Sequence, residues 1–282
     1  MTRLCLSLMG GFEARLDGIP ILGFKTDKAR ALLAYLVVEQ ARPYRRQALA
    51  GLFWPGYLES SARASLRHAL ANLRQVLSDE SSSSPYLLVE GETIQFNPSS
   101  DHWLDVQAFH SLLKDDRLDR NNLQRLEEAL SLYRGAFLEG FSLKDSPEFD
   151  TCTATVREEL KGQALTALYQ LAEEYEKRGE LEKACVYARK QLELEPWLEE
   201  AHRQLMRLLS LRGQRSAALA QYETCKRSLA EELGVEPSET TNALFEQIRL
   251  GEVRKVEVES SKAQPVEPPP YVSSTHGRPR AG

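Results

Sequence analysis

The sequence predicts a mainly α-helical fold in two parts: a small β-sheet, three helices and a β-hairpin, then an all-α domain of paired-helix repeats. Three observations predict it. Residues 3 to 22 alternate apolar and polar, with turn signals at Gly10-Gly11 and Asp17-Gly18. Ala62, Leu66, Ala69, Leu70, Leu73 and Leu77 then follow the three-and-four spacing of a helix with one apolar stripe. Further on, Leu171 and Leu205, Arg178 and Arg212, Gly179 and Gly213, and Ala184 and Ala218 each lie 34 residues apart.

The opening Met1 to Leu8 superficially resembles a signal peptide, but its apolar run is short and alternating and no small-residue cleavage site follows, so a β-strand is expected. Asp17-Gly18 tolerates the positive φ of a tight hairpin, which lets the strands on either side pair. From Asp27 the period changes. Ala31, Leu32, Tyr35 and Leu36 predict a first helix ending near Gln40, before Arg42-Pro43. A second, shorter helix runs from about Arg45 through Leu49 and Leu52 and stops at Trp54-Pro55-Gly56, because proline and glycine cannot continue it. The third begins after Glu59-Ser60-Ser61. Two apolar-rich runs, 86–89 and 93–96, flank Glu90-Gly91-Glu92 and read as a terminal hairpin.

A sheet, three helices and a hairpin in that order fit a winged helix over residues 1–98, in which the third helix enters a DNA major groove and the hairpin touches the backbone. Opposite the apolar stripe, that helix turns out Ala64, Arg67, His68, Ala71, Arg74 and Gln75, with Arg63, Ser65 and Asn72 at the margins. Arginine suits such a face, because its fork donates two bonds to guanine or pairs with a phosphate. The expected DNA-binding residues are Arg67, His68 and Gln75 for bases, with Arg45, Arg46, Arg63 and Arg74 for phosphates and Asn72 beside them. A basic helix face is also what a merely solvated surface looks like. It is the order of elements around the helix that favours DNA.

Residues 99–251 read as helices almost throughout. The 34-residue spacing is the tetratricopeptide period, and Leu168, Leu171, Ala172, Tyr175, Gly179, Ala184, Ala188 and Pro196 fall where that pattern wants large, large, small, aromatic, turn, small, small and proline. The second copy is looser, with His202 at a large-residue site, Met206 at a small one and Ala230 at the proline. Upstream, Leu123, Leu126, Leu130, Tyr133 and Phe137 predict another amphipathic helix, interrupted by Asp145-Ser146-Pro147. Downstream, Gly234 is a helix stop and Pro237-Ser238 starts a capping helix with Leu244, Phe245 and Ile248 on one face. Past residue 252 prolines, serines and charges dominate, and 252–282 is expected to be a disordered tail; Pro268-Pro269-Pro270-Tyr271 there reads as linker.

Charged residues at 27% and apolar residues at 42% place the chain among ordinary globular proteins, and no run approaches the roughly 20 apolar residues of a membrane crossing. Net charge is −5, which taken alone argues against a polyanionic partner. Its distribution reverses the argument: Phe24 to Leu77 holds nine Lys/Arg against three acids. Cys5, Cys152, Cys185 and Cys225 are widely spaced, with no Cys-x-x-Cys and no nearby histidines, so no metal site is expected and a reducing, cytoplasmic setting is. No nucleophile elbow or His-Glu-x-x-His helix supports an enzyme, no cofactor motif is found, and the alternative function is a repeat scaffold whose basic module serves an acidic protein.

With these elements in place the chain resembles the SARP-type transcriptional activators, which couple a response-regulator-like winged helix to a bacterial transcriptional activator domain. The resemblance is carried by Lys28-Ala29-Arg30-Ala31-Leu32-Leu33-Ala34-Tyr35-Leu36, by Leu52-Phe53-Trp54-Pro55 and by Ala62-Arg63-Ala64-Ser65-Leu66-Arg67. It continues in Leu205-Met206-Arg207-Leu208-Leu209, in Gly213 to Tyr222 and in Leu229-Ala230-Glu231-Glu232-Leu233-Gly234-Val235-Glu236-Pro237. The resemblance implies binding of double-stranded DNA at direct repeats, recruitment of RNA polymerase, and tandem or dimeric association of the chain. It does not extend to the ATPase of some relatives, since no Gly-x-x-x-x-Gly-Lys-Ser/Thr loop is present.

Overall fold

The computed structural model of the protein describes residues 3–79, 84–114 and 122–252; the tail expected at 252–282 lies, from residue 253 on, outside the described residues. Strand β1 (Leu4–Ser7) pairs antiparallel with β2 (Glu13–Leu16), which pairs with β3 (Ile19–Pro20). Asp17 and Gly18 join β2 to β3 with φ of 50° and 80°, the doubly left-handed geometry that an Asp-Gly hairpin turn takes. Helix α1 (Asp27–Val38) is capped by Thr26, whose Oγ1 accepts from the Ala29 amide at 3.2 Å. After strand β4 (Tyr44–Arg45) come α2 (Arg46–Phe53), α3 (Glu59–Val76) and the hairpin β5 (Leu87–Glu90) and β6 (Thr93–Phe96).

Two short strands were invisible to periodicity. β4 adds a third strand to the hairpin, giving the order β4-β6-β5, with Tyr44 opposite Ile94. β7 (His102–Leu104) lies past the expected division at 98/99, yet it pairs in parallel with β1, Leu6 against Leu104, and completes a sheet of order β3-β2-β1-β7. The sheet module therefore closes at Leu104 rather than at residue 98.

The helical part runs α4 (Asp105–Leu113), α5 (Asn122–Leu132), α6 (Pro147–Lys177), α7 (Leu181–Leu194), α8 (Glu199–Leu211), α9 (Arg215–Leu233) and α10 (Glu239–Leu250). Helices α6 and α7 make one repeat, α8 and α9 the next, and the 34-residue period holds at the level of single hydrogen bonds. Gly179 and Gly213 sit at φ of 76° and 74°, and their amides reach Glu176 and Ser210 carbonyls at 2.9 Å. Glu180 to Tyr175 and Gln214 to Leu209 repeat the next bond, also at 2.9 Å. Fully buried Ala184, Ala188 and Ala218 are the small residues that allow close helix approach. Gly234 and Gly251 end α9 and α10 in the left-handed conformation, and Ser238 caps α10 as expected. Helix α5 is pinned to the first repeat by Glu127, which accepts from the hydroxyls of Tyr175 and Tyr187 at 2.6 and 2.8 Å.

Phe137 is not on the helix predicted for it. Helix α5 stops at Leu132, and the following segment turns back onto the chain just after β1: the Leu138 amide donates to Leu8 at 2.8 Å, the Gly10 amide to Ala136 at 3.0 Å, and Phe137 bridges Met9. One continuous core results, from Leu4, Leu32, Phe53 and Leu73 to Phe109, Phe137, Phe149 and Leu160. Polar groups stitch the same seam. Buried Asp105 accepts from the Leu8 and Met9 amides at 2.7 and 2.8 Å, and Ser146 Oγ donates to the Phe53 carbonyl at 3.0 Å. Burial pushes the Asp105 carboxyl up, against those amide bonds and the nearby Arg134 guanidinium.

The large-residue position of the looser repeat is filled by a neutral imidazole. His202 Nε2 lies 2.8 Å from the Pro196 carbonyl and must carry the proton there, which leaves Nδ1 to accept from Gln221 Nε2 at 2.7 Å. Burial lowers its pKa below the ordinary 6.5, outweighing the Pro196 bond and Glu199. A base with a lowered folded pKa contributes stability that is complete above pH 6.5 and is lost as pH falls through the folded value. Thermal unfolding between pH 7.5 and 5.5 should therefore show stability falling with acidity, and His202→Gln should flatten that dependence.

Candidate nucleic-acid interface

Helix α3 is sealed from below by Ala62, Leu66, Ala69, Leu70, Leu73 and the following Leu77, all buried. Its crest is open: Arg67, His68, Ala71 and Gln75 are exposed, with Ala64 and Ser65 half-buried beside them. The small side chains at 64 and 71 leave the backbone approachable between longer polar ones.

The three-stranded wing stands along one flank. Arg63 pairs with Glu92 at the wing turn and lies 3.9 Å from Glu59. The Arg46 guanidinium donates to the Gly91 carbonyl at 3.0 Å, while its amide donates to Glu92 at 2.8 Å, so the start of α2 is fastened to the same turn. Arg45, one residue earlier, is exposed. Arg74 stands at the base of the wing beside Asp79, whose buried carboxylate caps the Tyr86 and Leu87 amides; burial pushes that carboxyl up, and the two amides and Arg74 oppose it.

The expected residues thus separate into groups. Arg67, His68 and Gln75 form the exposed crest, Arg45 is an exposed neighbour, and Arg46, Arg63 and Arg74 line the wing side. Asn72 is corrected: it is only 4% exposed, its Oδ1 accepts from the Lys25 amide at 2.9 Å and its Nδ2 donates to the Gly23 carbonyl at 3.1 Å. With both amide groups committed inside the module it cannot meet DNA. A residue at the margin of a helical stripe can fall either way, and the approach of the 23–25 loop decides this one. The other flank of α3 holds residues that sequence reasoning passed over, Lys25, Lys28 and Lys144, around a cleft of about 1060 Å³. Among the described residues no cluster of His, Cys, Asp and Glu fits a metal ion, and the four cysteines form no disulfide. No helix among them is long and apolar enough to cross a membrane.

The family model for the bacterial transcriptional activator domain matches residues 104–249, from the end of β7 into α10. The chain belongs to the bacterial transcriptional activator domain family. Among curated relatives of similar sequence, the transcriptional regulatory protein EmbR of Mycobacterium tuberculosis is 30% identical over 261 residues, which cover 87% of this chain and 63% of EmbR. The transcriptional regulatory protein MoaR1 of Mycobacterium bovis is 29% identical over 249 residues, covering 86% of this chain and 78% of MoaR1. The solved structure of Mycobacterium tuberculosis EmbR in complex with a low affinity phosphopeptide superposes with a TM-score of 0.69 at 25% identity, over 89% of this chain and 66% of that one. This member of the family therefore spans just under two thirds of EmbR. The similarity extends through the winged helix as well as the helical domain, as the resemblance to SARP-type activators implied.

Proposed function

We propose that this chain is a sequence-specific DNA-binding transcription regulator, an activator in which α3 reads the major groove of double-stranded DNA and the helical domain contacts RNA polymerase. The observation that carries the reading is the open crest of Arg67, His68, Ala71 and Gln75 on a helix whose other side is sealed by leucines and whose flank bears a wing. Family membership and the names of its relatives support regulation of transcription. Binding to direct repeats, side-by-side association of copies, a cytoplasmic setting and the lack of a catalytic role belong to the same proposal.

The internal pairing of Arg63 and Arg46 favours a second reading, a scaffold without specific DNA binding, and footprinting separates the two. On the DNA flanking its own gene, the activator protects a pair of short tandem elements; a scaffold forms nuclease-resistant protein complexes and protects none.

Because Glu92 holds Arg63 at the edge of the interface, Glu92→Gln is expected to tighten binding to any duplex and to steepen the log–log salt dependence by up to about 0.9, the value of one added phosphate contact. Fluorescence anisotropy across a salt series checks it.

A further inference from the structure

A major groove about 12 Å wide, filled by a helix of nearly that diameter, sets a phosphate backbone on either flank of the helix. On α3 the wing, with Arg45 and Arg46, serves one flank. The other is the cleft between the side of α3 that carries His68 and Gln75, the start of α1, and the segment 142–145 that enters α6. We propose that this cleft receives the sugar-phosphate backbone of the second DNA strand, so that Lys144, a residue of the helical domain, binds the same duplex as α3. The inference rests on the DNA-binding reading of α3 and adds a contact from the other domain.

The charges suit a phosphate chain. Lys25 and Lys144 are exposed, and neither makes an ion pair among the described residues. Lys28 Nζ stands 5.5 Å from the ring centroids of both Trp54 and Tyr57, which hold it along the cleft wall. Of the two acids there, Asp27 is paired with Arg30, and Asp145 remains opposite Lys28. Three lysines therefore face one carboxylate, Asp145, whose charge already acts on Lys28, which leaves Lys25 and Lys144 without an ion-pair partner among the described residues.

Both walls are fixed in place. Asn72 of α3 holds the Lys25 amide, which gives this buried asparagine a role in setting the position of Lys25. On the opposite wall Leu143 is 4% exposed and Ser146 is fully buried against the end of α2, so Lys144 projects from an anchored turn. A wall already ordered before binding loses little conformational entropy when it meets its ligand.

The test uses the full chain and a 30-base-pair duplex of random sequence, since phosphate contacts need no operator. Anisotropy is followed from 50 to 300 mM salt. Lys144→Ala is expected to reduce the magnitude of the log–log slope by about 0.9 and to weaken binding roughly eightfold at 0.1 M salt, and Lys25→Ala/Lys144→Ala by about twice that slope change. Lys144→Arg should retain the original slope, and Lys226→Ala on α9 is the control. If the lysine variants match Lys226→Ala while Arg45→Ala, at an expected phosphate contact beside the wing, flattens the slope, the cleft proposal is overturned and the DNA-binding reading stands. If the unmodified chain shows a slope near zero, both fall.

Discussion

Arg67→Ala should weaken binding to the footprinted DNA by roughly 5- to 140-fold, corresponding to the ~1–3 kcal/mol that a bidentate arginine–base contact contributes to discrimination. The expectation follows from position. Arg67 is at the centre of the crest, exposed and without an ion pair among the described residues, whereas Arg63 is already held by Glu92 and Arg74 stands beside Asp79. Its removal costs the fold little, because the stripe that anchors α3 lies on the opposite face. The loss should therefore appear in affinity, with the melting temperature unchanged, and should be larger on the footprinted site than on random duplex. An equal loss on both would make Arg67 a phosphate contact rather than a base reader. Competition anisotropy with the two duplexes distinguishes these outcomes.

Phe53→Ala is expected to lower stability by about 3–5 kcal/mol, the usual cost of deleting a large aromatic side chain from a packed core. Phe53 is fully buried at the end of α2, with ring centroids 5.9 Å from Tyr35, 5.4 Å from Phe149 and 6.1 Å from Trp54. Its carbonyl also receives the Ser146 hydroxyl. The residue thus joins the winged helix to the beginning of α6, and the cavity should be felt on both sides. Calorimetry should show the main transition moving down by roughly 6–20 °C as a whole. Early melting of the winged helix alone, with the repeats unaffected, would mean that the shared core does not couple the two parts.

How far this was legible in the sequence depends on the length of each pattern. Helix α3, with more than four turns of regular spacing, could be read with its crest. The tetratricopeptide turns could be read because a glycine at positive φ recurs at a fixed interval. Strands of two and three residues, β4 and β7, have no period to detect, and their pairing with β6 and β1 is set by distant partners. Phe137 carries helical spacing but obeys the pull of residues 8–10 just after β1, where three backbone hydrogen bonds await the segment after α5. At the interface, the exposure of Arg67, His68 and Gln75 follows from the wheel. The burial of Asn72, the pairing of Arg63 with Glu92 and the arrival of Lys144 beside α3 each depend on a segment 29 to 72 residues away in the chain, which no local pattern encodes.

The claim beneath all of this is geometric: the crest of α3 lies in the major groove. Dimethyl sulfate modification of the footprinted DNA reads that groove directly, because it methylates guanine at N7. Guanines inside the footprint should be shielded by the intact chain and regain reactivity with Arg67→Ala; full N7 reactivity beneath an otherwise protected backbone would show that the helix does not enter the groove.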